Sequence, residues 1–151
     1  MKNMQKERVL ILTEKKFTSD KIREALSGVD YDVTVAEIGG HVYLNGESDV
    51  LHVSKEELDN AVQLTVNDGI TAYVLGDDTI RKNVEMIKNL DPDGFDFILN
   101  ACDPDDSGQL LFNYAASLAG FDPHPCLRVT IKDFTEAAIL LAFNSAIGAS
   151  R

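Results

Sequence analysis

Val9-Leu10-Ile11-Leu12 is an unbroken apolar run between Arg8 and Thr13. Four apolar residues in succession, with no polar alternation, are the pattern of a strand buried on both faces of a parallel sheet. From Ser19 the period changes. Ile22, Ala25 and Leu26 recur with Lys21, Arg23 and Glu24 between them, which predicts a short amphipathic helix closed by Gly28. Tyr31-Asp32-Val33-Thr34-Val35-Ala36 alternates as a strand does. After Gly39-Gly40, His41-Val42-Tyr43-Leu44 and the turn pair Asn45-Gly46 predict a hairpin-like stretch. Over residues 55–66, Leu58, Ala61, Val62 and Thr65 fall at helical spacing behind a Ser54/Glu57 capping box, so a helix is expected there, ended by Asn67-Asp68-Gly69. Three strand-then-helix units follow: 71–75 with 80–90, 95–101 with 109–119, and 127–131 with 136–146.

Repeated strand and helix, with strands rich in Val, Ile, Leu and Phe, predict an α/β, Rossmann-type three-layer fold: a mostly parallel central sheet with helices on both faces. One domain over 1–151 is expected, since no linker, repeat or low-complexity run divides the chain. In such sheets functional groups gather beyond the carboxyl ends of the strands. Here those positions are Glu14, Asp77, Asp103 and Lys132.

Charge narrows the function classes. Fourteen Lys+Arg against 25 Asp+Glu give a formal net charge of −11 over 151 residues. Nucleic acid held through the overall field of the molecule is thereby disfavoured, and any such contact needs a local site or a partner. A chain of this length buries enough surface to need no staple. Its two cysteines, Cys102 and Cys126, have neither disulfide-pair nor zinc-ligand spacing, which suits a reduced, cytoplasmic setting. Only four apolar residues follow the polar, basic N-terminal stretch, too few for a signal-peptide core or a membrane span. No membrane partner is expected.

The segment richest in chemistry runs from the apolar Phe97-Ile98-Leu99 into Asp103-Pro104-Asp105-Asp106-Ser107-Gly108 ahead of a helix. Carboxylates at i and i+2 of an extended stretch project to one side, so Asp103 and Asp105 can share a hard divalent cation, with Glu14 from another strand end completing the cluster. The plainer reading is that Asp105, Asp106 or Ser107 caps the helix opening at Gln109 while Pro104 shapes the turn. Glu14-Lys15-Lys16 is a catalytic acid beside phosphate-holding cations or a solvated loop. Asp77-Asp78 and Asp91-Pro92-Asp93-Gly94 read as capping and turn chemistry. His41 follows two glycines but stands alone, and the aromatic residues are scattered rather than arrayed with basic ones, so core packing is their expected role. No Gly-x-Ser-x-Gly elbow, Walker loop, GxGxxG fingerprint or zinc spacing occurs.

Taken in order, these pieces resemble the TOPRIM domain, in particular the one at the N-terminus of type IA DNA topoisomerases (topoisomerases I and III). Leu12-Thr13-Glu14-Lys15 before a helix is similar to the family's strand ending in Glu-Lys-Pro-Ser. Gly40-His41-Val42 is similar to its Gly-His-Leu, and Ala101-Cys102-Asp103-Pro104-Asp105-Asp106-Ser107-Gly108-Gln109 to its Ala-Thr-Asp-Pro-Asp-Arg-Glu-Gly-Glu. Leu127-Arg128-Val129 and the helix after Phe134-Thr135 are similar to its Arg-containing strand and closing helix. The resemblance spans nearly the whole chain. It implies a TOPRIM-like fold in which Glu14 assists proton transfer at the DNA 3′-oxygen and Lys15 stabilises charge on the scissile phosphate. It also implies that Glu14, Asp103 and Asp105 hold Mg²⁺, for which Mn²⁺ substitutes, and that Lys15, Lys16 and His41 contact DNA.

The chain departs from the family where Asp106-Ser107-Gly108-Gln109 stands for Arg-Glu-Gly-Glu and Lys16-Phe17 for Pro-Ser. None of Tyr31, Tyr43, Tyr73 and Tyr114 matches the family's DNA-cleaving tyrosine, which belongs to a separate domain, so the resemblance implies an isomerase domain not active alone, meeting DNA through additional domains or another chain. A degenerate, non-catalytic TOPRIM-fold interaction domain is the alternative. An Asp-based phosphotransfer domain with Lys132 as phosphate partner ranks third.

Overall fold

The computed structural model describes residues 6–39, 41–44, 62–66, 70–75 and 78–150, and of 41–44, 62–66 and 70–75 the backbone course. Strand β1 (Arg8–Thr13) leads into helix α1 (Lys16–Ala25) and strand β2 (Asp32–Glu37). Strands β3 (His41–Leu44), β4 (Val62–Val66) and β5 (Ile70–Leu75) precede helix α2 (Asp78–Lys88). Strand β6 (Phe97–Asn100), helix α3 (Asp106–Ala119), strand β7 (Leu127–Arg128) and helix α4 (Glu136–Ser150) complete the order.

The main sheet has the order β2-β1-β6-β7, and every pairing in it is parallel. The chain has the expected α/β, Rossmann-type architecture. Side-chain alternation along β1 divides the core between two faces. Val9 and Ile11 join Val35 and Leu99 against Ile22, Ala25 and Leu26 of the α1 region and Ile139, Phe143, Ala146 and Ile147 of α4. Leu10 and Leu12 join Ala36 and Ile38 against Ile87 of α2 and Leu111, Phe112, Tyr114 and Ala115 of α3. Each of these buried β1 side chains contributes about 1.5–3 kcal/mol of hydrophobic stabilisation, which is why the run tolerates no polar residue.

Two expectations are corrected. Residues 62–66 form strand β4, not the end of a helix. Val62, Leu64 and Val66 also alternate with period two, and pairing with β5 realises that period over the helical one. Residues 54–61, the turn at Asn45-Gly46, Asn67-Asp68-Gly69 and Asp77 lie outside the described residues. Second, β3 does not form a hairpin with β2, and β5 does not join the parallel sheet. β3, β5 and β4 make a separate antiparallel sheet in the order β3-β5-β4, with β3 and β4 alongside α3. The turn at 91–94 is a single 3₁₀ turn whose Asp91 side chain accepts from the Asp93 N–H, as its composition predicts.

Candidate functional site at the carboxyl ends of β1 and β6

β1 and β6 are adjacent, with Leu12 opposite Asn100 in register. From β1 the chain crosses through α1 to β2 on one side. From β6 it crosses through α3, packed on the opposite face, to β7 on the other. This is the point where strand order reverses, and two parallel strands whose crossovers diverge leave a crevice beyond their carboxyl ends. Glu14 and Asp103 emerge into it.

The Glu14 backbone is fixed by a hydrogen bond from the Gly39 N–H to its carbonyl, 2.8 Å, with Gly39 at φ +77°, a conformation glycine adopts without strain. Its side chain is half-buried, and Oε2 is enclosed without a hydrogen-bond partner. Burial, a hydrogen bond with the Asp103 carboxyl, and the charges of Asp103 and then Asp105 push the Glu14 carboxyl up from 4.5 to about 7, with Lys15 opposing. Lys15 Nζ lies 4.0 Å from Asp103 Oδ2, both side chains open to solvent. Burial, with the Glu14 charge adding to it, pushes the neighbouring Cys102 thiol far up, so that thiol is inert.

The loop after β6 is held from both sides. Asp105 caps α3, its Oδ1 accepting from the Gly108 N–H at 2.7 Å. A Cβ on Gly108 would stand 1.9 Å from the Asp103 carbonyl oxygen, so only glycine allows this close approach. From β7, Arg128 donates to the carbonyls of Cys102 (2.8 Å) and Asp103 (3.0 Å), and to Gln109 Oε1 (2.6 Å). Asn100 Oδ1 accepts from the Cys102 N–H, and Asn100 Nδ2 donates to Gln109. This net fixes where the Asp103 carboxylate can reach.

Of the residues picked from the sequence, Glu14, Lys15 and Asp103 come together. Asp105 reaches Glu14 through its charge while its side chain performs the capping of the plainer reading. Lys16 turns along α1 to Asp20, 2.6 Å away. His41 opens β3 in the second sheet. Among the described residues no three acidic, His or Cys side chains converge to hold a metal ion. The oxygen-only donor pair of Glu14 and Asp103, with one buried oxygen unpartnered, nonetheless suits a hard divalent cation, which would relieve the repulsion between them. Arg128, Gln109 and Asn100 are the organising residues that the sequence reading gave no role; the one signal was an Arg closing an apolar strand, beside the loop of the neighbouring strand.

Lys15, the residue before α1, gives that helix no capping side-chain hydrogen bond. Among the described residues no helix is long and apolar enough to cross a membrane. Compared with known proteins, the chain matches no family model and no curated sequence.

Proposed function

We propose that this chain is a TOPRIM-type domain related to those of type IA DNA topoisomerases. It supplies a divalent-cation site and an acid/base carboxyl for DNA strand cleavage and religation, while other domains or another chain supply the tyrosine nucleophile and most of the grip on DNA. The observation that carries this reading is the Glu14 carboxyl: partly enclosed, protonated up to about pH 7, and set beside Asp103 and Lys15 at the switch point of the sheet.

A carboxyl with that affinity for protons is suited to hand a proton to a departing 3′-oxygen and take it back on religation. The Lys15 ammonium, held near the cluster by Asp103, lies where a phosphate approaching Glu14 would meet it, and it offsets charge gathering on phosphoryl oxygens. Glu14 and Asp103, with Asp105 at the next turn, are the residues that would hold Mg²⁺ or Mn²⁺, which when bound supplies further neutralisation of phosphoryl charge. Arg128 keeps the Asp103 loop in place for both tasks. Tyr114 is buried in the core and Tyr31 packs edge-on against Phe143, positions that suit structural tyrosines rather than a nucleophile. The cytoplasmic setting accords with the free thiols of Cys102 and Cys126.

A non-catalytic relative of the same fold is the second reading, favoured by the commitment of Asp105 to its cap and of Gln109 to Arg128. Calorimetric titration of Mg²⁺ and Mn²⁺ separates the two. Saturable binding that disappears in the Asp103→Asn, Asp105→Asn double variant is the expected result. Absence of binding by the wild type, both alone and with a single-stranded oligonucleotide present, overturns the first reading in favour of the second.

A further inference from the structure

The hydrogen bond that fixes the Glu14 backbone is continued on another helix. Beyond Thr13 and Glu37, the last paired positions of β1 and β2, the Gly39 N–H donates to the Glu14 carbonyl at 2.8 Å. The carbonyl of that same peptide group, which belongs to Ile38, accepts from Asn83 Nδ2 of α2 at 3.2 Å. A trans peptide is planar, and its N–H and C=O point to opposite sides. One rigid group is therefore gripped by Glu14 at one edge and by α2 at the other. Bonds joined through a single peptide also polarise each other, so donation to its carbonyl makes its N–H a better donor.

The Gly39 backbone does not by itself keep this peptide in place. Gly39 stands at φ +77°, and glycine takes positive and negative φ about equally well. Reversal of the Ile38–Gly39 peptide, which changes ψ of Ile38 and φ of Gly39, meets little resistance from the glycine and would turn the N–H away from Glu14. The Ile38 side chain is anchored, buried in one cluster with Leu12 of β1 and Ile87 of α2. Asn83 in turn occupies a position where a helix ordinarily places an apolar residue. Ile80, Val84 and Ile87 form the core-facing stripe of α2, and Asn83, half-buried, falls within it. Enclosing an amide there is unfavourable unless it finds a partner, and its partner is the Ile38 carbonyl.

We infer that Asn83 is a positioning residue for Glu14: by holding the Ile38 carbonyl it keeps the Gly39 N–H on the Glu14 carbonyl, and so keeps the Glu14 carboxyl beside Asp103. The orientation of the Glu14 backbone decides where its Cβ points, and a reversed peptide releases that backbone. This rests on the reading of Glu14 and Asp103 as a working pair, and adds to it a residue of α2 that acts on the pair through one peptide.

Asn83→Leu completes the apolar stripe and removes the donor; Asn83→Ala removes the donor without adding bulk. In the metal-free full chain, NMR follows amide exchange at Gly39 and the carbonyl and carboxyl carbon shifts of Glu14. Both variants should speed Gly39 exchange about tenfold, the order of one lost hydrogen bond, and move both Glu14 carbons. Exchange in β1 and β6 should stay as in wild type. Mg²⁺ affinity, read by calorimetry, should fall about tenfold, the lower end for loss of a group that orients a metal ligand. Gly39→Ala disfavours positive φ and should move the same signals. Combined with Asn83→Leu it should weaken Mg²⁺ binding no further than either change alone, because both act through one peptide.

Unchanged Gly39 exchange and Glu14 shifts in both Asn83 variants overturn the inference, as do equal Mg²⁺ affinities in these variants and wild type, or additive losses in the double variant. Acceleration spread evenly over β1 and β6 overturns it too, by assigning Asn83 to the fold at large. The metal-free signals keep this test apart from that of the proposed function. A wild type that binds no Mg²⁺ removes the cation site while Gly39 and Glu14 still decide the part of Asn83; Mg²⁺ binding with those signals unmoved in the Asn83 variants does the reverse.

Discussion

Glu14 sits in an environment that resists its charge. Its free-chain value of 4.5 rises to about 7, chiefly through burial and then through Asp103. Between those values the folded chain holds a proton that the unfolded chain has released, so folding stability falls as pH rises from about 4.5 through about 7. Glu14→Gln removes that loss. The variant should match wild type near pH 4.5 and exceed it above pH 7.5 by about 1 kcal/mol, solvent screening across the open side of the cluster having reduced the full effect. Urea unfolding at several pH values measures this, and parallel stability curves would show that nothing distinguishes the Glu14 environment. At this scale the sequence was informative for a physical reason. Glu14 and Asp103 each follow an apolar run, and a run buried in a parallel sheet delivers the next polar residue to the carboxyl edge. Asp105 was readable only as two alternatives, because a carboxylate two residues past Asp103 and one residue before a helix satisfies ligand and cap patterns equally. Its contact in the structure is the cap, 2.7 Å to the Gly108 N–H. The two roles separate by substitution. Asp105→Asn keeps an oxygen to accept from Gly108 and should leave stability within about 0.5 kcal/mol, whereas Asp105→Ala should cost about 1 kcal/mol. If Asp105 also serves a cation, both variants lower Mg²⁺ affinity alike, and calorimetry on the pair tells cap from ligand.

Among elements, those that pack on the parallel sheet were legible, as were β3 and β5 as strands, whereas β4 and the pairing of the second sheet were not. β1, α1, β6, α3 and α4 each carry a pattern that one environment explains: apolar throughout where both faces are covered, or apolar at helical spacing where one side meets the sheet. Val62–Val66 carried two periods at once, and the choice between them lay in a partner, β5, that no local pattern names. The same holds for Arg128. It closes a two-residue strand, β7, yet its guanidinium reaches back across to β6 and ties three acceptors of the following loop and helix. Lysine cannot reproduce that fork, because a single ammonium does not span two carbonyls and an amide in one plane. Arg128→Lys should therefore lower stability by about 1.5–3 kcal/mol. Amide exchange at Asp105 and Gly108, which hang on the same loop, should accelerate more than exchange in β1. Uniform acceleration throughout the sheet would mean that Arg128 supports the fold generally rather than this loop.

For the molecule as a whole, the charge balance and the crevice make opposite demands on salt. With 25 acidic residues against 14 basic ones, the folded chain repels itself, and compact states suffer more from that repulsion than expanded ones. Raising NaCl from 10 mM to 0.3 M shortens the Debye length from about 30 Å to below 10 Å and should raise the melting temperature by a few degrees. On the proposed reading, a divalent cation held by Glu14 and Asp103 would act through a different term, binding to the folded state alone. At about tenfold excess over its Kd it adds about 1.4 kcal/mol, or about 3 °C for a chain of this size. The two terms separate when Mg²⁺ is compared with NaCl at matched ionic strength: screening predicts equal melting temperatures, while a specific site predicts an excess with Mg²⁺. That excess should vanish in Asp103→Asn, and it should weaken below pH 6, where Glu14 holds its proton and competes with the metal. DNA binding, on the proposed reading, should move the other way, loosening as salt rises, because phosphate contacts release counterions that salt restores. In a chain of net charge −11 such a grip would have to be local, and Lys15, beside the Glu14–Asp103 crevice, is the cation placed for it.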